Sequence, residues 1–163
     1  MSLSYFEGKN SGSFEKLHLL LQASATFDTP PALQADLNYT EDITASENWL
    51  TLEPLPNSGQ WQETVELDAD GTPLYRYTLE IVVNKDRLTI TKLLADKLPR
   101  KLLTIVEDNN ATIRLIGSDE HFCTLSYTQI KERGIIQPNN YRIILTCQMS
   151  HPAVYYSGAF TGS

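Results

Sequence analysis

Positive charge is what this 163-residue chain has least of: 13 Lys and Arg stand against 20 Asp and Glu, for a formal net charge of −7. A protein that reads nucleic acid needs a basic face to neutralise phosphates, so that class is not expected. Cysteine is scarce as well. The two present, Cys123 and Cys147, are too few for a disulfide framework, and both fall on apolar-facing positions of expected strands. An unpaired thiol there packs as a small hydrophobe. No run approaches the roughly 18 apolar residues of a membrane span, and the first residues lack the basic start and apolar stretch of a secretory leader. The chain is therefore expected in a cytoplasm, with no membrane partner.

Catalytic and metal-binding signatures are also missing. His18, His121 and His151 are far apart in the chain and none has a neighbour at metal-ligand spacing. Asp68-Ala69-Asp70-Gly71 resembles the start of a calcium loop, but lacks the further oxygen ligands and the closing glutamate; it reads as a hairpin turn. Glu63 and Glu66 fall on opposite faces of a strand and cannot share a substrate. No nucleophile-elbow or triad motif surrounds any serine. The expectation is a protein that is not an enzyme, with no catalytic residue, no metal ligand and no cofactor. Six aromatics, Trp49, Trp61, Tyr75, Tyr77, Tyr155 and Tyr156, could line a carbohydrate-binding platform. Aromatics alternating along strands are more often core or cross-strand pairs.

What the chain does have is alternation. Tyr75, Tyr77, Leu79, Ile81 and Val83 share one side of a strand over residues 74–83, against Arg76, Thr78 and Glu80. Residues 16–27 read as another strand, with Leu17, Leu19, Leu21 and Phe27 on its buried face and Leu20 interrupting the polar one. Each of those large side chains contributes roughly 1.5–3 kcal/mol when buried. Further strands are expected at 49–53, 61–67, 102–107, 112–116, 122–127, 141–149 and 153–156. Asp70-Gly71 turns 62–67 into 74–83, and Asp108-Asn109-Asn110 turns 102–107 into 112–116. Between two of these strands the period changes to helical, with Ile90, Leu93, Leu94, Lys97 and Leu98 on one face before Pro99. That predicts one α-helix at about residues 87–98, capped near Asp86 or Thr89. About eight strands and one helix suit a mainly β domain, a two-sheet β-sandwich or flattened β-barrel with one flanking helix. Residues 1–14 read as a flexible arm, 15–157 as a single β domain and 158–163 as a loose tail. Residues 28–47, opened by Pro30-Pro31 and carrying several acids, read as an exposed contact loop.

The half from Leu79 to Tyr156 resembles a group of uncharacterised proteins encoded in phages and prophages of Bacteroidetes. The residues that carry the resemblance are the strand–helix–strand segment 78–107, then Val106-Glu-Asp-Asn-Asn-Ala-Thr-Ile-Arg-Leu-Ile-Gly117, Asn140-Tyr-Arg-Ile-Ile-Leu-Thr146, and His151-Pro-Ala-Val-Tyr155. The arrangement is also similar to the tail-tube proteins of tailed phages, β domains with one flanking helix whose copies form stacked rings. The resemblance implies a structural virion protein, most simply a tail-tube subunit in stacked, hexameric rings. Its partners would be itself, other virion tail proteins, and genomic DNA passing through without specific binding. It would reside in the virion, and in the host cytoplasm during assembly. A tail terminator or head–tail adaptor is the nearest alternative, and a carbohydrate- or protein-binding β-sandwich module the alternative of another class.

Overall fold

The computed structural model describes residues 14–31, 36–84, 87–97, 100–130 and 140–162. Within them lie thirteen strands and one α-helix. The strands are β1 (Phe14–Leu21), β2 (Ala25–Thr26), β3 (Asn38–Tyr39), β4 (Ile43–Ala45), β5 (Leu50–Leu52), β6 (Gln60–Leu67) and β7 (Pro73–Asn84). After the helix α1 (Arg87–Lys97) come β8 (Leu102–Asp108), β9 (Ile113–Ile116), β10 (Cys123–Ile130), β11 (Asn140–Met149), β12 (Val154–Tyr156) and β13 (Phe160–Gly162). Ten strands form one large mixed sheet ordered β3-β12-β9-β8-β10-β11-β7-β6, with β1 and β5 branching from β8. β13, β4 and β2 form a small second sheet. The fold is mainly β with a single helix, as expected. The large sheet does not close, which removes the barrel form of that expectation.

The large sheet turns over on itself where β8 and β10 share one residue pair, Leu102 with Cys123. One half carries β6, β7, β11 and β10; the other carries β1, β5, β8 and β9. Between them lies the main core, built from Leu17 and Leu19 of β1, Leu102 and Val106 of β8, the alternating run Tyr77–Val83 of β7, and Ile143 and Leu145 of β11. Alternation sends the other side chains of β1 and β8 the opposite way. There Leu20 and Leu103 meet Ala45, and Ile105 meets Tyr39, Ile43 and Tyr156. The β1–β8 pair is thus covered on both faces. This explains Leu20, which interrupts the polar side of β1 because that side is also core.

Several expectations change for the same reason. The strand expected over 16–27 ends at Leu21; a 3₁₀ turn, Gln22–Ser24, carries the chain out of the large sheet and into β2. Gln22 anchors the departure: its side-chain Nε2 donates to the carbonyls of Ser118 (2.7 Å) and Asp119 (3.0 Å). Residues 28–47 are not an exposed loop in their described part, because β3 and β4 place Tyr39, Ile43 and Ala45 in the core. Residues 32–35 of that stretch lie outside the described residues. The tail expected to be loose pairs instead, β13 running parallel to β4 with Phe160 opposite Ile43. Of the expected N-terminal arm only Phe14 is described; it opens β1 and is buried. The strands exceed the number expected because β2, β3, β4 and β13, of two or three residues each, are too short to show a period.

The helix is placed as its spacing predicts. Leu94 is fully buried in the main core, and Thr91 Oγ1 lies 2.5 Å from the Tyr141 hydroxyl of β11. Lys97, assigned by its spacing to the buried face, is buried and pairs with Glu47 at 3.3 Å. The same Glu47 carboxylate accepts the Leu21 N–H (3.1 Å), tying the end of β1 to the end of α1. Asp86, Leu98 and Pro99, expected at the ends of the helix, lie outside the described residues.

The two expected hairpins share one construction. In each, an aspartate opens a five-residue loop, Asp68–Thr72 and Asp108–Thr112. Each aspartate accepts two backbone N–H groups on its carboxylate, from Asp70 and Thr72 in one loop and Asn110 and Thr112 in the other, at 2.8–2.9 Å. The fourth residue has positive φ: Gly71 at 79° and Ala111 at 59°. Asp68 Oδ1 thus serves the hairpin turn that the sequence predicts there.

Two outcomes follow from this geometry. Leu94→Ala should cost roughly 2–5 kcal/mol of stability by denaturant unfolding, because it empties a fully buried site. Ala111→Gly should instead stabilise by about 0.5–1 kcal/mol: relief of the left-handed strain exceeds the extra freedom glycine adds to the unfolded chain.

Candidate functional site

β6 is the outermost strand of the large sheet and pairs with β7 in unbroken antiparallel register from Gln60–Glu80 to Leu67–Pro73. Among the described residues nothing pairs with its other edge. Gln60, Gln62, Thr64 and Glu66 alternate with Trp61, Glu63, Val65 and Leu67, and only the second set points toward the main core. Trp61 reaches that core. Beyond it the hairpin runs past the sandwich, leaving Val65 52% and Leu67 70% exposed. An edge strand of this length normally carries lysine, proline or a bulge to prevent pairing with another chain. β6 has none of these. Its one inward charge, Glu63, is occupied by the Tyr77 hydroxyl, which donates to it. The hydroxyl in turn accepts the Ala153 N–H at 2.7 Å, and burial holds its pKa above the ordinary tyrosine value.

Beside β6 the aromatic residues sort into two groups. Trp49 and Tyr156 belong to the core between the two sheets, where Trp49 packs edge-on to Phe160 and Tyr156 stacks on Tyr39. Tyr75 is partly buried against the main core. Trp61, Tyr77 and Tyr155 gather around Arg114 of β9, a residue the periodicity did not single out. The guanidinium lies 5.1 Å from the Trp61 ring and 4.2 Å from the Tyr155 ring, and donates to the Tyr155 hydroxyl at 2.7 Å. Trp61 also stacks on Tyr77. Arg114 thus lies against one face each of Trp61 and Tyr155, and Tyr155 stays 42% exposed beside the free edge.

The histidines divide differently from their sequence spacing. His121 and His151 meet edge-on, with ring centroids 5.5 Å apart, while His18 lies elsewhere. His121 Nδ1 is 3.1 Å from Ser118 Oγ, a contact that invites comparison with a nucleophile and its base. Both groups are also engaged with the backbone. The Ser150 backbone nitrogen lies 3.3 Å from His121 Nε2. Ser118 Oγ accepts the backbone N–H groups of Glu120 and His121, which occupies its two lone pairs in capping a turn. Among the described residues no three His, Cys, Asp or Glu side chains gather to hold a metal. An open groove of about 620 Å³ is lined by Gln22, Ala25, Phe27, Arg100 and Lys101. Its cations are engaged, Arg100 with Asp96 and Lys101 over the Phe122 ring.

No family model matches the chain, and neither a curated protein nor a solved structure matches it. The functional reading therefore rests on the free edge of β6, the uncovered apolar side chains beside it, and the residues of the C-terminal half quoted above.

Two histidines give the fold a pH dependence of known sign. Burial holds His18 below the ordinary value of 6.5, against the opposing pull of Glu107 3.9 Å away; Lys16 adds to the lowering. His151 is lowered by burial too, with neighbouring His121 acting in the same direction and its bond to the Pro152 carbonyl, Asp119 and Glu120 opposing it. The unfolded chain then binds these protons more readily than the folded one. Their contribution is complete above the ordinary value of 6.5 and is lost as pH falls from there through the lowered folded values. Melting temperatures from about pH 8 to about pH 5 should fall over the acidic part of that range, and less steeply in His18→Gln.

Proposed function

We propose that this chain is a structural subunit that assembles with copies of itself through the free edge of β6, and that it serves in a virion as a tail-tube protein. The observation that carries the assembly reading is the eight-residue edge strand with its unpaired backbone and exposed Val65 and Leu67. Unpaired N–H and C=O groups along an edge are a template for a neighbouring strand, and two uncovered apolar side chains add a driving force beside it. A head-to-tail contact of this kind closes into a ring when the rotation between copies permits.

The tail-tube form of the proposal draws on the resemblance carried by residues 78–156, and the hexameric, stacked ring belongs to that analogy. The charge is consistent with it. A net charge of −7 per chain lets DNA pass without the phosphate neutralisation that would retain it. A terminator or adaptor at the end of such a tube would use the same edge chemistry. The carbohydrate-binding alternative draws on the aromatics alone, and Arg114 engages those on the surface.

Mass photometry and negative-stain microscopy across a concentration series test the proposal. The chain should form rings or short tubes as concentration rises, and Val65→Lys with Leu67→Lys should leave a folded monomer, since both side chains are exposed and outside the core. A strict monomer at every concentration, also in the presence of other tail components, would overturn it.

A further inference from the structure

We propose that Cys123 and Cys147 form a reversible cross-strand disulfide that staples β10 to β11, a role beyond the assembly reading and independent of it. The two cysteines stand directly opposite each other in the antiparallel ladder, Cys123 paired with Cys147, and both side chains enter the main core. Opposed residues in an antiparallel pair have Cα atoms about 4.5 or 5.5 Å apart, and both separations fall within the roughly 4.4–6.8 Å a disulfide spans. Both are free and buried. With only two cysteines in the chain, no other intramolecular pairing competes.

Both thiols face the main core, with Cys123 0% and Cys147 3% exposed, so an oxidant reaches the pair when the β10–β11 ladder opens or before it forms. The oxidant is a small-molecule disulfide. Cys147 loses its thiol proton to solvent, and its sulfur attacks one sulfur of the oxidant, which releases a thiolate. The Cys123 thiolate, formed by loss of the second proton, then attacks the Cys147 sulfur of the mixed disulfide and releases the other thiolate. Two electrons and two protons leave the protein and reduce one oxidant molecule to two thiols. Contact with Cys123, and then burial, push the Cys147 pKa up, so the thiolate is scarce and native-state oxidation is slow at neutral pH.

The position gives the bond its effect. Cys123 is also the residue of β10 that pairs with Leu102 of β8, so a disulfide here would fasten the point at which the large sheet turns over. It would close a loop over residues 123–147.

The test uses the full-length protein held in oxidised glutathione, both in the native state and during refolding from denaturant, then alkylated and mapped by mass spectrometry without reduction. The expected product is a Cys123–Cys147 cross-linked peptide in both arms, formed faster as pH rises. Its melting temperature should be higher by roughly 5–10 °C, and dithiothreitol should return it to the reduced value. The Cys123→Ala/Cys147→Ala variant should show no response to oxidant. If the refolded protein is native but has both thiols open to alkylation, or carries glutathione on each, the proposal is overturned. A cross-linked protein that melts below the reduced one would overturn the stabilising role.

Discussion

Everything else in this fold accommodates one antiparallel pair, β1 with β8, that is covered on both faces. A strand with one solvated face asks only for a single covering layer, whereas Leu17-His18-Leu19-Leu20-Leu21 and Leu102-Leu103-Thr104-Ile105-Val106 demand two. One cover comes from the large sheet turning over at Leu102 and Cys123, which brings β7 and β11 down on one side. The other has to be assembled from short pieces, since the chain has no second long strand to spare. β2, β4 and β13 supply it. His18 is the polar residue caught in this arrangement: it bonds to Thr51 at 2.9 Å, packs on Phe160 of the small sheet, and its burial gives the fold part of its acid sensitivity.

The outer strands answer to a weaker constraint. Moving along the large sheet from β8 through β10, β11 and β7 to β6, burial falls until the last strand touches the core mainly through Trp61. The fold does not need Val65 or Leu67, yet the alternation of β6 continues through both. In the assembly proposed above, these are the side chains that would lie against a neighbouring copy. Arg114 supports this end by bracing Trp61 and Tyr155, so the edge is held by a firm base rather than hanging from a mobile one.

How much of this could be read from the sequence varied with element length and with the number of buried faces. The long alternations of β7 and β11, the helical spacing around Leu94 and Lys97, and both aspartate-opened hairpins were legible, because each involves enough residues for a period or a turn signature to appear. Tyr39, Ile43, Ala45 and Phe160 were not. They sit in strands of two or three residues, held by partners remote in the chain, and local pattern carries no information about a distant partner. Lys97 was placed on the buried face by its spacing, but Glu47, which makes that burial tolerable, had no signal of its own. The same limit hid Arg114 among its aromatics, and the opposition of Cys123 to Cys147 depends on a register that no single strand specifies.

The small sheet also has a consequence in time. Its three strands come from residues 25–26, 43–45 and 160–162, so the layer gathers pieces from nearly the whole length of the chain. Contacts between such distant residues carry the largest loop-closure cost and form late. During synthesis β1 and β8 are made well before β13, and until β13 emerges the face of β1 around His18 lacks part of its final cover. A nascent chain would therefore leave His18 without its Phe160 cover until β13 has been made.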